Sequence, residues 1–197
     1  MYKKVIGLFS VLLLLNFLYL PGVHAAGTVP LAVTVNGSLV ISDADNDTMA
    51  GLNPTKNVTL SITPDLGHTI QSGGANFRIR TNRSAWRLTA QRTATSTGGT
   101  GIADADVKVD IAKSAGSTAS ASAGALVAPF TSQSDLSAIT TASAVDVVSG
   151  TAKTSSMLDS GNANNWFQVN TTYSLQPDFF YTPGTFSTTI TYDLVSP

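Results

Sequence analysis

The chain has 197 residues, with 11 Lys and Arg against 12 acidic residues and no cysteine. Every acidic residue is Asp, and Ala, Ser, Thr and Gly dominate, which excludes charge-rich helices, disulfide scaffolding and cysteine-ligated zinc. Two of the basic residues fall in an apolar leader; the rest carries a formal charge of −3, which argues against general nucleic-acid affinity.

Lys3 and Lys4 precede an almost continuous apolar run from Val5 to Leu20, which Pro21-Gly22 breaks before Val23-His24-Ala25. A positive start, a short apolar stretch and small residues at its end predict a secretory signal peptide over residues 1–25, cleaved after Ala25. The run is shorter than the ~20 apolar residues that span a bilayer, and no second one follows, so no membrane association is expected after cleavage. Residues 26–197 then suit a single domain, long enough to bury a core without covalent staples.

From Gly27 to Asp43, Leu31, Val33 and Val35 alternate, Asn36-Gly37 follows, and Leu39, Val40 and Ile41 resume the apolar pattern. Asn-Gly between such runs predicts a hairpin. The loop Asp43-Ala44-Asp45-Asn46-Asp47-Thr48 places carboxylates at alternate positions, where Asp43, Asp45 and Asp47 could converge on Ca²⁺. Thr48 and Pro54 break the EF-hand pattern, and a solvated Asp/Asn turn is the competing reading. Val58, Leu60 and Ile62 predict a strand over Asn57–Thr63, and Pro64-Asp65-Leu66-Gly67 ends it.

The stretch Asn76–Ala90 is the most informative. Phe77, Ile79 and Thr81 alternate with Arg78 and Arg80; after the turn-like Asn82-Arg83-Ser84, Trp86, Leu88 and Ala90 alternate with Arg87 and Thr89. Two strands around a polar corner are predicted, with Trp86 and Leu88 turned toward a core. Thr93–Gly101 reads as a loop, Val107, Val109 and Ile111 as a strand, and the Ser/Ala/Gly-rich run 114–124 as a long flexible loop. Leu126–Phe130, Ala138–Val148 and Ala152–Leu158 are weaker signals. Trp166, Val169 and Tyr173–Leu175, then Thr185–Val195, give closing strands. With no helix long enough for a parallel crossover, the pattern predicts an all-β fold, an immunoglobulin-like antiparallel β-sandwich of about eight to ten strands.

Catalytic inventory is thin. After leader removal only His68 remains as an imidazole, in a Gly-flanked loop, and no Gly-x-Ser-x-Gly elbow accompanies it. Asp104 and Asp106 could mimic a glycosidase pair, although alternate residues on one strand face are commonly solvated. A non-catalytic protein without a cofactor is expected. Arg78, Arg80, Arg83, Arg87 and Arg92 lie within 15 positions. Projected from neighbouring strands, Arg78, Arg80 and Arg87 would form a cationic stripe for phosphate or carboxylate groups of an anionic wall polymer. The competing arrangement is a polar sheet face with cross-strand partners such as Asp106 or Asp110.

Trp86-Arg87-Leu88-Thr89-Ala90, after an extended Arg/Asn-rich segment, resembles the first motif of the WxL domains of Gram-positive cell surfaces. The ending Pro183–Pro197 is similar to that family's terminal strand, where a second Trp-x-Leu precedes a final Pro; here Tyr192 stands in place of the second tryptophan. The resemblance implies a secreted protein held noncovalently on the cell wall through peptidoglycan; Trp86 and Tyr192, together with Arg78, Arg80, Arg83 and Arg87 of the arginine cluster, are the candidate ligand-binding residues. The last strand is also similar to that of secreted pilus and fibre subunits. On that alternative, residues 26–35 donate a strand to a neighbouring subunit, with Leu31, Val33 and Val35 filling its pockets; pairing within its own domain is the competing reading.

Overall fold

The computed structural model describes residues 31–96 and 98–197. The expected leader, residues 1–25, and the first half of the candidate donor segment, residues 26–30, lie outside the described residues. Nine strands follow in chain order: β1 (Leu39–Asp43), β2 (Gln71–Thr81), β3 (Trp86–Ser96), β4 (Lys108–Ala115), β5 (Gly124–Leu126), β6 (Ser134–Asp135), β7 (Val145–Gly150), β8 (Phe167–Leu175) and β9 (Ser187–Val195). They build two antiparallel sheets, one ordered β1-β2-β8-β4-β6 and the other β5-β7-β3-β9. The fold is a β-sandwich, as composition and alternation predict. All nine strands belong to a compact unit over Asn36–Pro197.

The Asn76–Ala90 stretch supplies the seam between the sheets. In β2, Ala75, Phe77, Ile79 and Thr81 are buried while Asn76, Arg78 and Arg80 stay partly exposed. The chain then leaves the first sheet at Asn82–Ala85 and enters the second at Trp86. Trp86, Leu88 and Ala90 are essentially solvent-free and join Phe130, Phe167 and Ile139 in the core. Trp86 donates its indole N–H to the Ala152 carbonyl at 2.8 Å and meets Phe167 edge-on, ring centroids 5.6 Å apart. Its ring lies over Gly150, where a Cβ would stand 1.9 Å from an indole carbon. Only glycine leaves room for the tryptophan there.

Several local expectations give way to tertiary pairing. The Asn36-Gly37 hairpin does not form: β1 pairs with β2, Leu39 opposite Thr81, and residues 31–38 belong to no strand. A type I′ turn needs positive φ at both central residues, and neither Asn36 nor Gly37 adopts it. Instead Asn82 bridges backwards, accepting from Ser38 N–H and donating to the Asn36 carbonyl, both at 2.8 Å. Residues 57–63 show the expected alternation, with Val58, Leu60 and Ile62 half-buried, yet join no ladder. The predicted loop 93–101 begins later than expected, because β3 runs to Ser96 opposite Ser187. The run 114–124 is built into the fold: Gly116 donates to Trp166 O, Thr118 to Asn164 O and Ser120 to Thr154 O. Small side chains permit that close approach; a Cβ on Gly116 would stand 2.1 Å from the Asn164 carbonyl oxygen.

The two flanks of the sandwich differ. At one, β5 and β6 are three- and two-residue edges, and the connections around them bury Phe130, Leu136 and Ile139 completely. At the other, β1 and β9 are the edges and adjoin each other. There the inward row Leu39, Ile41, Ile190, Tyr192 and Leu194 is only partly buried.

Candidate functional site

β2 and β3 carry the clustered arginines, and the topology separates them. Arg78 and Arg80 alternate with core residues of the first sheet and lie on its outer face; Arg87 lies on the outer face of the second sheet. The single stripe is therefore not formed. Two-residue alternation is common to both strands, but the corner at 82–85 sends them into different sheets.

Asp47 holds the first pair. Arg80 donates from Nη1 and Nη2 to its two carboxylate oxygens, each at 2.7 Å, and Arg78 adds a 2.9 Å contact. Ser42 Oγ donates a further bond at 2.7 Å. The Arg80 guanidinium, reinforced by Ser42 and Arg78, holds the Asp47 carboxyl well below the usual carboxylate range against the opposing effect of burial. Both guanidinium groups are further engaged: Arg80 reaches Asn165 Oδ1 and the Asn162 carbonyl, and Arg78 reaches Gln168 and lies 4.2 Å from the Trp166 ring centroid. The partner is thus Asp47, not Asp106 or Asp110. A bidentate, three-sided clamp of this kind leaves few donors for an outside anion.

The remaining carboxylates of the acidic loop meet a cation of the chain itself. Lys56 Nζ lies 2.8 Å from Asp43 and 2.8 Å from Asp45. Hydrogen bonding to Lys56 lowers the Asp43 pKa, with the Asp45 N–H adding to it. Asp43 and Asp45 thus converge on an ammonium and Asp47 turns away to the arginines, so Ca²⁺ would have to displace Lys56 to gather them. No group of three or more His, Cys, Asp or Glu positioned for a metal ion occurs among the described residues.

Arg83 and Arg87 remain more open. Arg83 sits at the exposed corner, 3.5 Å from Ser196 Oγ. Arg87 is half-exposed and pairs with Asp146 at 3.3 Å, a geometry that contributes little in water. Both stand at one end of the second sheet, since Arg87 faces Val195 across the ladder. Arg92 is buried, 2.6 Å from Asp104, and donates to the Ile139 carbonyl.

The residues behind the WxL resemblance become neighbours. Leu88 lies opposite Leu194 and Ala90 opposite Tyr192 on β3 and β9. Trp86 is core and unavailable as a surface platform. Tyr192 packs 5.2 Å from Phe77 by ring centroid, and its hydroxyl meets that of Tyr173 at 2.7 Å. Burial raises the Tyr192 pKa well above the ordinary 10.0, and the adjacent Tyr173 adds to the rise.

The candidate catalytic groups do not converge. His68 adopts φ 47° in an exposed turn, with Nδ1 3.1 Å from the Pro177 carbonyl. Asp104 is bound to Arg92, while Asp106 accepts from the Ala103 N–H at 2.8 Å. Lys56 and Trp166 were not evident as partners from local pattern; a lone lysine soon after an acidic loop is the one signal that points to the former. No helix among the described residues is long and apolar enough to cross a membrane. No known family's sequence pattern matches the chain, and no curated protein matches it.

Proposed function

We propose that the chain is a secreted, non-catalytic protein of the bacterial cell surface, retained noncovalently on the cell wall by an anionic wall polymer. The observation that carries this reading is the cross-strand pairing of Leu88, from Trp86-x-Leu88, with Leu194, from Tyr192-x-Leu194, with the more open guanidinium groups of Arg83 and Arg87 at the same end. The hydrophobic residues of this pairing build the sheet, and the two arginines offer planar donor forks to phosphate or carboxylate groups. Arg78 and Arg80 drop out of the contact surface because Asp47 occupies them.

Retention on isolated walls tests this directly. The paired substitution Arg83→Gln with Arg87→Gln is expected to weaken binding to walls at least about tenfold, a factor of ten corresponding to roughly 1.4 kcal/mol. Retention should also weaken as salt shortens the reach of the charges. Arg78→Gln with Arg80→Gln should leave retention of the folded protein unchanged. Undiminished binding by the Arg83/Arg87 variant removes the assignment of this surface, and no retention of the unsubstituted protein removes wall association itself.

A further inference from the structure

We infer that the outer edge of β9 is an acceptor for the N-terminal segment of a second copy of this chain, so that copies join by adding a strand to the second sheet. This assembly goes beyond wall retention and does not depend on it.

β9 is nine residues long and has β3 on one side; no strand lies on its other side among the described residues. An edge of that length is ordinarily shortened, covered or interrupted by proline or a lysine, and Ser187–Val195 contains neither residue. The neighbouring core is unfinished as well. Trp86, Leu88 and Ala90 on β3 are sealed, but the next row outward, Ile190, Tyr192 and Leu194, keeps solvent contact. One more strand with inward apolar residues would cover it.

A segment with the sequence pattern of such a strand precedes the sandwich unit. Val29, Leu31, Val33 and Val35 alternate with Pro30, Ala32 and Thr34, which places four aliphatic side chains on one face of an extended segment. Residues 31–35 enter no strand, and Leu31, Val33 and Val35 are exposed. Seven residues from 29 to 35 match most of the nine-residue edge. Main-chain pairing supplies the affinity, and the alternating aliphatic residues meet the half-covered row. Like charges do not oppose the union: the segment carries none, and β9 carries only Asp193.

The absence of cysteine makes disulfide trapping clean. Thr34 faces away from the aliphatic row, as Thr189, Thr191 and Asp193 face away from Ile190 and Tyr192. In the secreted protein, Thr34→Cys is combined in turn with Thr189→Cys, Thr191→Cys or Asp193→Cys, with Thr34→Cys/Val40→Cys on the β1 edge for comparison. The expected result is a ladder of disulfide-linked species for at least one β9 pair and not for Val40, together with oligomers of the unsubstituted protein by size exclusion with light scattering. Leu31→Ser, Val33→Ser and Val35→Ser together should abolish every species above the monomer without changing the far-ultraviolet dichroism, since the segment lies outside the strands. A strictly monomeric unsubstituted protein overturns the inference, as does cross-linking through Val40 alone or a disulfide closed within one copy. Wall retention, measured separately, stands or falls independently of all these outcomes.

Discussion

The flank closed by β5 and β6 and the flank edged by β1 and β9 solve the same problem differently. At the closed flank the edge strands are only two or three residues long, and loop residues such as Phe130 and Ile139 plug the space between the sheets. At the open flank a long edge strand stands beside apolar side chains that are only half-covered. Short edges under loops are how an isolated domain protects itself from pairing with other chains. The contrast teaches that burial is divided unevenly within one core: loops seal one flank, and the other leaves apolar area half-covered.

Three substitutions sharpen that division. Trp86→Ala, on the side packed over Gly124 and Gly150, should cost about 3–5 kcal/mol of unfolding free energy, read by denaturant titration; a loss below about 1 kcal/mol would mean the closed flank does not anchor the core. Asp47→Asn should cost about 1–3 kcal/mol at neutral pH, since it weakens charge-assisted bonds that are only partly screened. Because folding lowers the Asp47 pKa from its ordinary 3.8, its contribution is present above that value and disappears as pH falls toward the folded one. The difference between Asn variant and parent should therefore narrow progressively as pH falls below 3.8 in thermal unfolding measured across pH. Ile190→Ala, at the open flank, should cost the monomer only about 1–2 kcal/mol, because a half-covered side chain forfeits less transfer energy. A penalty equal to that of Trp86→Ala would erase the distinction between the flanks.

Alternation made the strands legible, and it made them legible one at a time. Phe77, Ile79, Trp86 and Leu88 announce the buried side of β2 and β3, and Val109, Ile111 and Val169 that of β4 and β8, whereas the short β5 and β6 carry no such signal. What alternation lacks is the identity of the neighbour. Arg78 and Arg87 look equivalent in sequence, yet four corner residues put them on opposite outer faces of the sandwich. Asp47 and Lys56 belong to loops whose course depends on distant pairing, so their partners were hidden in the same way. Val58, Leu60 and Ile62 show the limit clearly: the pattern of a half-buried strand is present, and the hydrogen-bonding neighbour that would make it one is not. Asn36-Gly37 shows the reverse, a strong local turn signal overridden because β1 gains its ladder from β2.

The pairing of Leu88 with Leu194 and of Ala90 with Tyr192 also bears on the timing of folding. β3 lies between β7 and β9 in its sheet, and β9 is the last strand to be synthesised. Contacts separated by about a hundred residues cannot reward the chain for closing so long a loop until both ends exist, which makes such topologies slow to fold. The second sheet can therefore be completed only once β9 has left the ribosome, long after β3.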